Sequence, residues 1–236
     1  MKIGSSSWKE IIQAGAGSLS INVDAPQIDQ FVLYADELMK WNRKINLTAI
    51  TDAEALAIKH FLDSIAPLAL IPLGASLLDI GSGAGFPGIP LKIVRPDLKV
   101  TLIDAVRKKV NFQKHVIRTL ALENIGSHHI RAEQFSPETP FDVVITRALS
   151  TLTKFVKLAL PLLAKDGVML SWKGMPAEAQ AEVSVLQSDE NRDPSLYGRD
   201  RLTVTLTTYR LSGITSDRTI VVIKKGAQYS RVQGFK

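Results

Sequence analysis

Between Gly81 and Gly88 the chain reads GSGAGFPG, directly after the apolar run LLDI, and this stretch has the residue types and spacing to hold a ligand. From Gly83 it spells G-x-G-x-x-G, the pattern with which a backbone approaches a pyrophosphate. From Gly81 it spells G-x-G-x-G behind a strand that carries Asp79. No Gly-Lys-Ser/Thr follows, so the ammonium and hydroxyl that a P-loop brings to a triphosphate and its magnesium are missing. Asp104, about twenty residues on, has the carboxylate needed to accept bonds from ribose hydroxyls under either spelling. The chain contains no cysteine, which removes thiol nucleophiles, thiolate metal sites and disulfides. No metal-ligating spacing is present.

The elements that must position these residues follow from periodicity. From Asp24, the run APQIDQFVLYADELMKWNRK sets Ile28, Phe31, Val32, Ala35, Leu38 and Met39 at helical spacing, with Asp24 as N-cap and Pro26 in the first turn. Thr51-Asp52-Ala53-Glu54 reads as a capping box opening a second helix, AEALAIKHFLDSIAPL. Residues 1–70 are therefore expected to be a helical region packed on the main domain. Beyond them, apolar strands alternate with helical segments: SLLDIG, KVTLID, a short strand near His128 to Arg131, FDVVITRA and GVMLSWKG. This alternation predicts an α/β domain over 71–225 with a mostly parallel sheet. RLTVTLTTYRL and RTIVVIKKG predict an antiparallel hairpin on one sheet edge, with residues 226–236 as a tail. In such sheets ligands lie beyond the carboxyl ends of the strands. Five ends in succession carry polar or glycine residues: Gly81 to Gly85, Asp104, Ala132-Glu133, Arg147 and Lys173.

Asp79 ahead of G-x-G-x-G, in a sheet that ends in a hairpin, resembles the Rossmann-like class I S-adenosylmethionine-dependent methyltransferases. The resemblance implies S-adenosylmethionine as cofactor, bound by Asp79, Gly81, Gly83, Gly85 and Phe86. Asp104 would take the ribose hydroxyls and Ala132 and Glu133 would lie by the adenine. Two acceptors are excluded by chemistry. Methylation at pyrimidine C5 needs a cysteine nucleophile, and the Asn/Asp-Pro-Pro-Tyr of many exocyclic-amine methylases is replaced here by Thr146-Arg147-Ala148-Leu149.

WNRKINLTAI, HFLDS, LLDIGSGAGFPGIPLKIVRPD, Arg131-Ala132-Glu133, Arg147-Ala148 and Lys173-Gly174 together resemble the small-subunit ribosomal RNA guanine-N7 methyltransferases, also called glucose-inhibited division protein B. That family implies methyl transfer to N7 of a guanine in small-subunit (16S) RNA or its assembly particle, in the cytoplasm, with no metal. Guanine N7 offers a lone pair and no proton, so no catalytic base is expected, and His60 is read as a packed helix residue. Arg147 is expected on the cofactor carboxylate or guanine O6.

The net charge of +6 suits a polyanionic partner. Lys173, the helix cations Arg107, Lys114 and Arg118, and Asn42, Arg43 and Asn46 beside Trp41 are the candidate RNA contacts, with a solvated face as the alternative for the helix. On that helix Val110, Ile117, Leu120 and Ala121 are expected to face the core. The longest uncharged run, Ser64 to Leu78, holds Pro67 and Pro72 and falls short of a bilayer span of ~20 residues. No secretory signal is apparent, so Asn46-Leu47-Thr48 is read as a chance glycosylation match. The same residues leave three rivals: a methyltransferase of proteins or small molecules, a dinucleotide-binding oxidoreductase, and a non-enzymatic RNA-binding module.

Overall fold

The computed structural model describes residues 1–147, 151–192 and 202–225; residues 148–150, the polar stretch 193–201 and the tail 226–236 lie outside them. Five strands, β1 (Ser76–Ile80), β2 (Lys99–Asp104), β3 (Ile125–His129), β4 (Phe141–Thr146) and β5 (Leu163–Lys173), pair in parallel. β6 (Leu202–Tyr209) and β7 (Arg218–Lys225) join them antiparallel, giving the order β3-β2-β1-β4-β5-β7-β6. The winding reverses between β1 and β4, which opens a crevice at their carboxyl ends. The central strands β1 and β4 are apolar on both faces, as a sheet covered on both sides requires. Leu77 points into one core and its neighbour Leu78 into the other.

The second core is built by α7 (Leu152–Ala159) and α8 (Pro176–Arg192), through Phe155, Val156 and Leu186. The first includes α5 (Gly88–Val94), α6 (Arg107–Thr119) and the N-terminal helices α1 (Ser6–Ser18) and α2 (Ala25–Asn42). A third N-terminal run begins as α3 (Ala53–Leu56), widens into a π-helical segment (Ala57–Leu62) and ends as α4 (Asp63–Ile65). Trp8, Phe31 and Phe61 from these helices share one cluster with Leu77, Leu102 and Ile145 of the sheet.

Several local expectations are corrected. The capping box expected at Thr51 does not form: Asp52, not Thr51, is the N-cap and accepts the Ala55 amide at 2.8 Å, because its carboxylate reaches that amide from one residue later. β3 lies earlier than expected because it takes its register from β2, pairing Ile125 with Val100. On α2 the buried face is Ile28, Phe31, Tyr34, Ala35 and Leu38, whereas Val32 and Met39 are only partly covered. On α6 Val110 and, just past the helix end, Leu120 are buried as expected and Ile117 packs partly covered on the core, but Phe112, Gln113 and Val116 are buried with them. Ala121 is exposed at φ 50°, in the left-handed turn that ends the helix.

The helical region is clamped to the hairpin by one carboxylate. Asp63 is 1% exposed; Oδ1 accepts from the Tyr209 hydroxyl (2.6 Å) and Arg218 Nε (3.1 Å), and Oδ2 accepts from Arg218 Nη2 (3.0 Å). Its carbonyl accepts from Trp172 Nε1 of β5 at 2.8 Å. Truncating one partner of a buried pair strands the other, at about 3 kcal/mol or more, less here because Arg218 keeps some contact with water. Asp63→Ala is therefore expected to lose about 2–3 kcal/mol of unfolding free energy in urea, and Asp63→Asn, which keeps an acceptor, clearly less. A loss under about 0.5 kcal/mol for Asp63→Ala would mean that this clamp contributes little.

Candidate functional site

The crevice between the ends of β1 and β4 is floored by the glycine loop. Gly81 and Gly83 have φ of 72° and 61°, and a Cβ at Gly81 would meet nothing within 4 Å. At Gly83 it would meet only the Gly81 carbonyl oxygen, at 3.9 Å. Backbone that is both left-handed and open is what close approach by a ligand needs. Gly85 is required for the opposite reason, since a Cβ there would meet Ile89 Cδ1 at 2.5 Å and the Tyr34 hydroxyl at 2.8 Å.

Two carboxylates flank the loop. Asp104, at the end of β2, accepts the Gly83 amide on Oδ2 (2.9 Å) and the Val106 amide on Oδ1 (2.8 Å). Each oxygen keeps a further lone pair for an incoming hydroxyl. Asp79 is fully buried; Oδ2 accepts the Gly88 amide at 3.0 Å, while Oδ1 has no partner. Burial pushes its carboxyl up to about 7, against the opposing pull of the Gly88 N–H and Arg147. A buried acceptor left without a donor is costly, and a cationic or hydrogen-bonding ligand would relieve it.

The loop is held from behind by residues that strand-end logic did not single out. The Tyr34 hydroxyl donates to the Ala84 carbonyl. Gln113 Nε2 donates to Ser82 Oγ (2.8 Å) and the Gly83 carbonyl (2.7 Å), and its Oε1 accepts from Ser127. A glutamine on the core side of an otherwise amphipathic helix was the available signal, since a buried amide must be answered by polar groups. Phe86 is 4% exposed, with its ring nearly parallel to Tyr34 (4.9 Å, 9°) and His60 (4.4 Å, 12°). Its ring anchors the loop to the helical region.

Arg147, beyond β4, donates to His60 Nδ1 (2.8 Å) and the Lys59 carbonyl (3.2 Å). Its guanidinium carbon lies 5.3 Å from the Phe86 ring centroid. Because a guanidinium only donates, His60 Nδ1 accepts, and the ring proton sits on Nε2, donating to Thr48 Oγ1 at 2.7 Å. Burial, reinforced by Arg147, depresses His60 to about 3, so the ring is neutral near pH 7. Asn42 closes the loop above, accepting from the Leu47 and Thr48 amides and donating to the Thr48 carbonyl. It is thus a scaffold for a loop that exposes Arg43 and Asn46.

The other expected site residues divide. Ala132 and Glu133 lie in a short 3₁₀ turn (Ala132–Gln134), Ala132 partly covered and Glu133 exposed. Arg107, Lys114 and Arg118 are exposed along α6. Lys173 is largely covered and pairs with Glu182 at 2.8 Å, so its charge is already answered. Trp41 packs on Phe112 and His115. α6 opens with Arg107, Lys108 and Lys109 and has no side-chain cap. Cations at the positive end of a helix dipole cost stability, which fits a surface selected for an anionic partner.

Residues 27–193 match the family described as rRNA small subunit methyltransferase G. The chain is 47% identical over 178 residues to the ribosomal RNA small subunit methyltransferase G of Geobacter sp. (strain M21), covering 75% of this chain and 82% of that protein. It is 39% identical to the protein of the same name from Desulfitobacterium hafniense (strain Y51), covering 88% and 84%. Among solved structures it is similar to an S-adenosylmethionine-dependent methyltransferase from Aquifex aeolicus (TM-score 0.51, 20% identity, 80% of this chain and 97% of that one). It is likewise similar to Trm5b from Pyrococcus abyssi (TM-score 0.55, 12% identity, 78% and 52%).

His60 and Asp79 predict opposed pH dependences. As pH falls from 6.5 towards about 3 the unfolded chain takes up the histidine proton first, so His60 removes stability. As pH rises from 3.8 towards about 7 the unfolded chain releases the carboxyl proton first, so Asp79 removes stability in that direction. Relative to the parent, Asp79→Asn should gain stability as pH rises through the second window, at up to ~1.4 kcal/mol per pH unit. Urea unfolding at a series of pH values checks this; a pH-independent difference would mean that Asp79 ionises normally.

Proposed function

The chain belongs to the rRNA small subunit methyltransferase G family, and from that premise we propose that it transfers a methyl group from S-adenosylmethionine to N7 of a guanine in small-subunit ribosomal RNA. The observation that carries the proposal is the open, left-handed glycine backbone between Asp79 and Asp104 at the sheet's reversal point, in a chain matched to that family over 27–193. When bound, S-adenosylmethionine supplies an electrophilic methyl on a sulfonium centre. The residues fit such a group: Asp104 has lone pairs for ribose hydroxyls, Asp79 has an orphaned oxygen for a donor, and Gly81 and Gly83 leave room.

In this proposal Ala132 and Glu133 border the adenine and Phe86 anchors the loop. Arg147, with donors left after His60 and Lys59 are served, orients the cofactor carboxylate or guanine O6. Guanine N7 attacks through an in-plane lone pair and releases no proton, so the chain has only to align the reactants. A neutral, doubly hydrogen-bonded His60 fits that requirement, because it positions Arg147 and is not needed as a base. The substrate is free small-subunit RNA or an assembly particle containing it, met in the cytoplasm. The exposed Arg107, Arg43 and Asn46 are among its contacts. Among the described residues no helix is long and apolar enough to cross a membrane.

Incubating the protein with S-adenosylmethionine and small-subunit RNA should place 7-methylguanosine at one position, read by chemical cleavage at the modified base. Methylation at another atom, or of protein only, would refute the proposal. In calorimetry Asp104→Ala should weaken S-adenosylmethionine binding by one to two powers of ten, as two charge-assisted bonds of about 1.5 kcal/mol disappear. Gly83→Val should fail to bind, and unchanged affinity in both variants would move the cofactor off this loop. The single-turnover rate should show no ascending pH limb due to an enzyme base.

A further inference from the structure

A groove lies away from the crevice, where α6 meets the edge strand β3. It has a volume of about 520 Å³ and is lined by Trp41, Lys114, His115, Ile117, Arg118 and the start of β3. Trp41 also lines a second hollow of about 420 Å³, together with Glu37, Lys40 and Lys44. We infer that these adjoining hollows form a second RNA subsite, in which an unpaired base of the substrate stacks beside Trp41 while Lys44, Lys114 and Arg118 hold the flanking phosphates. The inference rests on the RNA-methyltransferase reading and extends it from the methylated nucleotide to an anchoring one.

Three observations support a single-stranded polyanion with an aromatic moiety. The first is charge: Lys44, Lys114 and Arg118 are exposed and make no ion pair among the described residues. The one carboxylate here, Glu37, is already engaged by Lys40 (2.7 Å) and His115 (2.7 Å). The second is the ring. Trp41 leans on Phe112 (5.6 Å) and His115 (5.1 Å), is only partly buried and borders both hollows, so an indole backed by rigid packing is offered to the outside. Aromatic platforms of this kind bind single-stranded bases without needing a particular sequence.

The third is continuity. α6 starts three residues after Asp104 and runs back along the sheet, so Arg107, Lys114 and Arg118 form a basic track about 16 Å long from crevice to groove. A strand held at both ends would be presented to the crevice at a fixed register. Affinity would then come from a site that the methyl-transfer chemistry never touches.

Tryptophan fluorescence gives a direct test, because Trp8 and Trp172 are buried and Trp41 is the accessible indole of the three. Titration with a six-nucleotide single-stranded RNA should quench the emission, and Trp41→Phe should abolish most of that quenching. Lys114→Gln with Arg118→Gln should weaken binding about tenfold and reduce the salt slope by about 1.4. In methyl transfer to small-subunit RNA, Trp41→Leu should raise KM about tenfold with kcat and S-adenosylmethionine affinity nearly unchanged; circular dichroism checks that each variant is folded. No quenching at saturating RNA, or an unchanged KM in all these variants while the parent methylates, overturns the subsite and spares the methyltransferase reading. An effect confined to protein-containing particles, absent on naked RNA, also overturns it, in favour of a protein partner. If the parent transfers no methyl to RNA, the underlying reading fails, and the fluorescence arm alone decides whether RNA occupies the groove.

Discussion

A loop of glycines holds no shape by itself, and in this protein its shape comes from a buried junction with the helical region. Tyr34 of α2 donates its hydroxyl to the Ala84 carbonyl, and Phe86 stacks on both Tyr34 and the His60 ring. From the opposite side Gln113 of α6 bonds Ser82 and the Gly83 carbonyl. The loop is thus fixed from two directions while its outer face stays open at Gly81 and Gly83. A site prepared in advance does not spend binding energy on ordering the loop when the cofactor arrives. The helical region is accordingly a wall of the site: its Trp8, Phe31 and Phe61 complete the core on which the loop rests.

The same junction sets the electrostatics. Burying Arg147 and His60 together is tolerable because a guanidinium that only donates meets a neutral imidazole that accepts, with Asp63 3.8 Å from the guanidinium as counter-charge. The arrangement spends the histidine as a spacer between Arg147 and Thr48 and leaves it unfit to shuttle protons near neutral pH. An acceptor atom that carries no proton makes no use of such a shuttle. What the proposed reaction needs is fixed positions and an electropositive surface, and the second is written along α6 at the expense of its own helix dipole.

Much of this was legible in the residues. The alternation of strands and helices predicted the parallel sheet and its antiparallel edge, because short apolar runs mark strands covered on both faces, as in β1 and β4, while burial on one side imposes a period of two on β6 and of 3.6 on the helices. Asp79, the glycines and Asp104 stood out because strand ends are where ligands bind. The back of the site was not legible. Tyr34 lies three residues after Phe31 on the same helix face, yet nothing local says that its hydroxyl meets a carbonyl fifty residues away. Gln113 and Asn42 are hydrogen-bond hubs; the place of Gln113 on the core side of its helix signals a buried amide, but the identity of its distant partners, and the loop that Asn42 holds, leave no trace in spacing. Lys173 shows the converse: a cation at a strand end drew notice, but α8 supplies Glu182 to neutralise it.

The claim at the centre of this account is that the helical region shapes the cofactor loop, and a single oxygen atom tests it. Tyr34→Phe keeps the ring stacked on Phe86 and removes only the hydroxyl, leaving the Ala84 carbonyl without that donor in a buried setting. The measurement is calorimetric affinity for S-adenosylmethionine beside urea stability. The account predicts binding weakened about fivefold or more, from roughly 1 kcal/mol of lost loop restraint, in a protein that is still fully folded. Affinity equal to the parent's, with stability lowered by the same amount, would show that the hydroxyl holds the fold and has no part in shaping the site.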